Sequence, residues 1–101
     1  MVNLAVAVPR EELAAFCRRR HIGWLAFVGS VLTDEFRPDS DIDVLVEFAP
    51  GHTPGLAIID VEDELADLLG GRKIDLLIRQ DLNRWIRNRL LAEAEVLYAE
   101  G

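Results

Sequence analysis

Residues 24–48 read WLAFVGSVLTDEFRPDSDIDVLVEF, and two apolar runs within this stretch decide the fold. Trp24 to Val28 is an uninterrupted apolar run of strand length that stops at Gly29-Ser30, which predicts a buried strand. Asp41-Ile42-Asp43-Val44-Leu45-Val46-Glu47-Phe48 is rich in β-branched residues and is bounded by Ala49-Pro50-Gly51, which predicts a second. The polar stretch between them, with Asp34, Glu35 and Pro38, is too broken for a long helix. Side chains alternate across a strand, so Asp41, Asp43, Leu45 and Glu47 share one face and Ile42, Val44, Val46 and Phe48 the other.

Upstream, Pro9 followed by Glu11 and Glu12 suits a helix start, because proline fits the first turn and acids favour the positive end of the dipole. Leu13, Phe16 and Cys17 give that helix an apolar stripe, and Arg18, Arg19 and Arg20 read as its solvated last turn. Downstream, Ile58, Val61, Leu65, Leu68 and Leu69 recur at helical spacing opposite Asp60, Glu62, Asp63, Glu64 and Asp67, and Gly70-Gly71 ends the helix. Lys73 to Ile78 is a third strand. Asp81 is placed as the N-cap of a closing helix that runs through Glu95-Val96-Leu97-Tyr98, with Leu82, Trp85, Ile86, Leu90, Ala94 and Leu97 inward. The expected fold is α/β (α+β), a three-stranded mixed sheet covered by helices, in a single domain spanning residues 1–101.

Half of the 101 residues are apolar and 29% are charged, enough to bury a core. The single cysteine, Cys17, fits an ordinary helix position and a reducing cytoplasm. No apolar run reaches the length of a membrane span or a signal-peptide core, so a cytoplasmic protein with no membrane partner is expected. A net charge of −7 argues against direct nucleic-acid binding, which rests on Lys and Arg. It leaves room for a nucleotide whose phosphates are neutralised by a divalent metal.

The chemistry lies in the carboxylates. Aspartate is depleted in strands, and Asp41 and Asp43 stand about 6–7 Å apart on one face, where like charges repel. A hard divalent cation removes that repulsion. Asp75 repeats the anomaly on the third strand, and three converging carboxylates could hold two metal ions for an in-line phosphoryl displacement. Gly29-Ser30 directly after a strand allows close backbone approach to phosphate and adds a hydroxyl donor, and Ser40-Asp41-Ile42-Asp43 on the next strand completes a phosphate cradle beside a metal site. Elsewhere, His21 and His52 have no partner at ligand spacing. Trp24 and Trp85 are expected in the core, with an interface position as the alternative for Trp85. Arg84, Arg87 and Arg89 are expected to form a solvated helix face, with a phosphate contact as their alternative.

Gly29-Ser30 followed after ten residues by Asp41-x-Asp43 resembles the signature of the DNA polymerase β-like nucleotidyltransferase superfamily. The longer stretch GSVLTDEFRPDSDIDVLVEF is similar to its minimal nucleotidyltransferases, small proteins often paired with a HEPN-domain toxin in toxin–antitoxin systems. The resemblance implies that Asp41 and Asp43 bind two Mg²⁺ ions, and that Asp75 completes the second site and helps to activate the acceptor hydroxyl. It implies that Gly29 and Ser30 hold the β- and γ-phosphates of ATP. The chain departs from the pattern at Thr33, where many relatives carry Arg, and Arg37 is the candidate replacement. An antitoxin that transfers AMP to a hydroxyl, a tyrosine by expectation, of a HEPN-type toxin is the function so implied. A short chain leaves little to recognise an acceptor, which favours a protein partner that brings its own complementarity. Two alternatives stay open: a binding module that masks the toxin without catalysis, and a nucleotidyl-donating subunit of a small-molecule-modifying complex.

Overall fold

Pro9 adopts an extended conformation at an N-cap position, and the amide of Leu13 closes the first helical turn on its carbonyl at 2.8 Å. Helix α1 (Arg10–Arg19) follows and buries Leu13, Phe16 and Cys17, the expected stripe. The computed structural model describes residues 7–33, 37 and 39–100, so the polar stretch at Asp34, Glu35 and Pro38 lies outside the described residues. After α1 come β1 (Ile22–Val28), a 3-10 turn (Gly29–Leu32), β2 (Ile42–Phe48), α2 (Ile58–Leu68), β3 (Ile74–Ile78), a second 3-10 turn (Arg79–Asp81), α3 (Arg84–Glu93) and β4 (Glu95–Ala99).

The sheet has four strands in the order β3-β2-β1-β4. β1 is antiparallel to β2 and β4, and β2 is parallel to β3, so the sheet is mixed as expected. Its fourth strand corrects the sequence reading, which ran the closing helix to Tyr98. Ala94 leaves helical geometry (φ −63°, ψ 137°), and Glu95 to Ala99 instead pairs with β1. That pairing removes an open edge on β1, a long-range gain that local periodicity does not register. The start of α3 is also shifted: Asp81 belongs to the 3-10 turn, and Asn83 is the cap, its Oδ1 accepting from the Ile86 amide at 3.0 Å.

The two sheet faces are unequal. Leu25, Phe27, Ile42, Val44, Val46, Phe48, Ile74 and Leu76 join Leu13, Phe16, Cys17, Val61 and Leu65 in one core cluster under α1 and α2. Arg19 and Arg20 both pair with Glu64, Arg20 Nε at 2.8 Å from Glu64 Oε1, so two of the three arginines tie α1 to α2 while Arg18 stays exposed. Burial pushes the Cys17 thiol up to about 12, against a weaker opposing pull from Arg18, which leaves it an inert apolar filler.

β2 steps to β3 in one direction across the sheet, and β3 crosses to β4 in the other. Both links join parallel strands, and right-handed crossovers then put α2 and α3 on opposite faces. Consistently, α3 buries none of its side chains and contributes nothing to the main core. Trp85, placed inward by the sequence reading, is 84% exposed, and Ile86 is exposed beside it. Trp24 is half-buried, with the Arg79 guanidinium 5.3 Å from its ring centroid.

Replacing fully buried Phe27 by alanine is expected to cost about 3–5 kcal/mol of unfolding free energy, a large part of the total for a small domain. Trp85→Ala is expected to change it by less than ~0.5 kcal/mol. Urea titrations followed by circular dichroism check both.

Candidate active site

Gly29 ends β1 with φ +75°, a left-handed conformation that disfavours any residue with a Cβ. It also has no room for one, because a Cβ built there would lie 2.4 Å from Asp43 Oδ2. The antiparallel register explains the closeness: Val28 pairs with Asp43, so the chain turns at Gly29 directly beside that carboxylate. On the other side of β2 the parallel register sets Asp43 opposite Asp75. Paired residues point to the same face of a sheet, so both carboxylates stand on the face opposite the main core.

Asp43 therefore carries the electrostatic load. Burial is the largest cause of its raised pKa, followed by the charges of Asp75 and then Asp41. Asp41 sits one residue ahead of β2, with Oδ2 3.9 Å from Lys73 Nζ, while the Ile42 amide donates to the Lys73 carbonyl at 2.9 Å. The sequence reading used Lys73 only as the start of the third strand; its approach to Asp41 follows from β2 and β3 starting in register. Glu62 was missed. Its pKa is raised by burial first, then by the charges of Asp75 and Asp63, so this α2 carboxylate feels Asp75 at the sheet edge.

The remaining sequence candidates divide into turn builders and exposed groups. Ser30 is half-buried in the first 3-10 turn, and its carbonyl accepts from both the amide and the hydroxyl of Thr33 at 2.9 Å. The departure at Thr33 thus closes the turn after Gly29-Ser30. Ser40 Oγ accepts from the Arg37 amide at 3.1 Å, and the Ser40 amide donates to the Arg37 carbonyl at 3.0 Å. Arg72 donates to that same carbonyl at 2.9 Å, fixing the backbone below the exposed Arg37 side chain. His21 and His52 are exposed and stack on each other at 3.9 Å.

Among the described residues, no three His, Cys, Asp or Glu side chains are gathered closely enough to enclose a metal by themselves. The donor set nevertheless fits a hard divalent cation held partly by substrate phosphate, the usual arrangement for Mg²⁺. Its donors are carboxylate oxygens, their mutual repulsion is already expressed at Asp43, and Gly29 leaves that carboxylate uncovered.

With this geometry in place, family comparison gives a direct answer. The nucleotidyltransferase domain family model matches residues 10–97, and the chain belongs to that family. A Methanocaldococcus jannaschii protein provisionally named a protein adenylyltransferase is 40% identical over 76 residues, covering 73% of this chain and 72% of that protein. A solved structure provisionally described as a minimal nucleotidyltransferase is 34% identical, with a TM-score of 0.72 over 85% of this chain and 86% of that one. A re-refined structure of tri-AMPylated Shewanella oneidensis HEPN toxin in complex with an MNT antitoxin shares the fold at a TM-score of 0.65. It is 16% identical and covers 89% of this chain and 69% of that one. The resemblance first seen in Gly29-Ser30 and Asp41-x-Asp43 thus holds at the level of family, enzyme class and fold.

Two predictions arise from the crowding at Asp43. Gly29→Ala is expected to cost about 1–2 kcal/mol in backbone strain and, by displacing the Asp43 carboxylate, to lower nucleotidyl transfer by about 10²-fold. Thermal melts and initial rates measure the two effects. Asp43 has a raised native pKa, so the folded state holds its proton more tightly than the unfolded state, and its stabilising contribution declines as pH rises through that pKa. In metal-free buffer near neutral pH, Asp43→Asn is expected to melt roughly 1–4 °C above the wild type, from a few tenths of a kcal/mol of relieved repulsion. The gap should close as pH falls below about 3.9, where both forms are neutral.

Proposed function

We propose that this nucleotidyltransferase transfers AMP from ATP to a hydroxyl group of a partner protein, a tyrosine on a HEPN-type toxin, and acts as its antitoxin in the cytoplasm. The observation that carries the reading is the pairing of Asp43 with Asp75 across parallel strands, beside a glycine whose missing side chain leaves Asp43 uncovered. The adenylyltransferase name of the archaeal relative and the AMPylated toxin bound to the MNT antitoxin supply the donor and acceptor classes. Among the described residues, no helix is long and apolar enough to cross a membrane.

The proposed chemistry balances as a single displacement. The acceptor oxygen attacks the α-phosphorus of ATP, the bond to the β-phosphate oxygen breaks, pyrophosphate leaves and the hydroxyl proton passes to a carboxylate. Asp75, exposed at the start of the edge strand β3, is the proposed proton acceptor. Asp41 and Asp43 are the proposed shared metal ligands and Asp75 the third. When bound, two Mg²⁺ ions would neutralise the charge that develops on the phosphates. Gly29 and Ser30 are the proposed contacts for the β- and γ-phosphates, with Ser40 holding the turn that presents Arg37 to them.

A second reading, in which the protein neutralises its toxin by masking alone, is favoured by one observation. Thr33 stands where the family resemblance leads one to expect an arginine, and its hydroxyl donates to the Ser30 carbonyl.

The purified chain incubated with Mg²⁺, labelled ATP and the adjacently encoded HEPN-type protein separates the readings on a denaturing gel. Label on that protein is expected, and it should vanish with EDTA and fall at least ~10³-fold with Asp43→Asn. A stable complex that never acquires label would sink the catalytic reading in favour of masking.

A further inference from the structure

A ten-residue helix gains little from propensity alone and usually depends on a buried apolar face, yet α3 buries none of its side chains. Arg87, Leu90, Leu91 and Ala94 are half-covered on the side toward the sheet. The outward stripe at helical spacing is Trp85, Asn88, Arg89 and Ala92, all exposed. Trp85 and Ile86 line a surface concavity of about 490 Å³ together with Asn88 and Arg89.

Charge narrows the occupant. Arg84, Arg87 and Arg89 sit on this one helix of a chain with net charge −7, and none forms an ion pair with another described residue. On α1 and its C-cap, Arg19 and Arg20 are engaged with Glu64 and Arg10 with the Leu97 carbonyl at 3.2 Å. That leaves only Arg18 exposed there without such a partner among the described residues, against three arginines on α3. A two-fold dimer through α3 would set its arginines against their own copies. Because α2 and α3 lie on opposite faces of the sheet, pairing α3 with the acidic α2 of a second copy is a head-to-tail contact that does not close in a two-fold dimer. A strongly acidic chain is also a poor match for a polyphosphate strand.

We infer that the outward face of α3, with Trp85 as anchor and Arg84 and Arg89 at its rim, docks a partner protein that offers an apolar socket edged by carboxylates. The inference rests on the proposed function in that the docked protein is also the AMP acceptor. The dimensions agree. Glu95, which follows α3, pairs with Phe27, one rung from the Val28–Asp43 pair and two strand spacings from β2, about 10 Å. Trp85 lies about 15 Å further back along the helix. An interface of ordinary size, about 800 Å² on each partner, spans that length. A protein seated on Trp85 therefore reaches the face that carries Asp43 and Asp75.

The test measures binding of the purified, adjacently encoded HEPN-type protein by calorimetry, and its labelling from ATP, for the wild-type chain, Trp85→Ala, Arg89→Glu and Asp43→Asn. Trp85→Ala and Arg89→Glu are expected to weaken binding at least ~10-fold each. The concentration for half-maximal labelling should rise in step, with the saturating rate and melting midpoint unchanged. Asp43→Asn should bind normally and transfer nothing. Wild-type affinity in both helix variants, with labelling still dependent on Asp43, would overturn the docking surface and leave the proposed function standing. A wild-type chain that neither binds nor labels the partner would overturn both. Self-association, or binding of a single-stranded oligonucleotide, that is lost in Trp85→Ala would assign the face to a different occupant and overturn the inference.

Discussion

Asp43 is held against two constraints at once: a like charge across the parallel ladder at Asp75 and a chain turn at Gly29 with no side chain to separate them. Much of the structure around it follows. The strand before the turn must be antiparallel to β2, so that Val28 delivers Gly29 to the carboxylate, and the strand beyond must be parallel, so that Asp75 arrives at the same end. A parallel neighbour requires a crossover, which α2 provides, and α2 in turn is tied to α1 by Arg19 and Arg20 on Glu64. The core under α1 and α2 is what makes a repulsive face affordable on the other side of the sheet.

That division of labour explains why the two faces of β2 differ. Ile42, Val44, Val46 and Phe48 are sealed by the two helices, and their burial supplies the driving force for folding. On the opposite face only Ala26, Val28 and Leu45 are fully buried, while Asp43 and Glu47 are partly open. Glu47 has a local partner in Arg79, 3.7 Å away, which also lies over Trp24. Asp43 has carboxylates for neighbours and, among the described residues, no ion-pair partner, the pattern by which perturbed groups mark candidate sites.

Where residues act through their neighbours in sequence, the reading was legible. The apolar run before Gly29, the β-branched strand after Asp41, the 3.6-residue stripe of α2 and the spacing from Gly29-Ser30 to Asp41-x-Asp43 all survive as elements or neighbours. What escaped depends on contacts distant in sequence. Val96 and Leu97 continue the apolar positions of α3 at helical spacing, and only the open edge of β1 turns them into a strand. Trp85 obeys the same periodicity but faces outward, because the reversal of crossover direction that puts α3 over the site face is a property of strand order. The value of Gly29 was read as room for a phosphate; its nearest demand is room for Asp43. Lys73 and Glu62 carry no motif and become visible only once β2, β3 and α2 are assembled.

The distribution of cations bears on how such an acidic chain could accept a triphosphate. Arg19 and Arg20 are spent on Glu64, Arg79 on Glu47 and Trp24, and Arg10 on the Leu97 carbonyl, all away from the aspartates. Near them stand Lys73, already drawn toward Asp41, and the exposed Arg37, whose backbone is fixed by Ser40 and Arg72. Lys73, Arg37 and Arg72 do not balance Asp41, Asp43 and Asp75 together with the four negative charges of ATP. Under the proposed function the shortfall falls to the divalent cations, so nucleotide affinity and catalysis become two readings of the same metal occupancy. Under the docking inference, the charge of Arg84, Arg87 and Arg89 on α3, without an ion pair among the described residues, serves recognition of a partner. Under the proposed function and the docking inference together, the chain separates its electrostatics by location: negative where metal and nucleotide would meet, positive where the acceptor would dock.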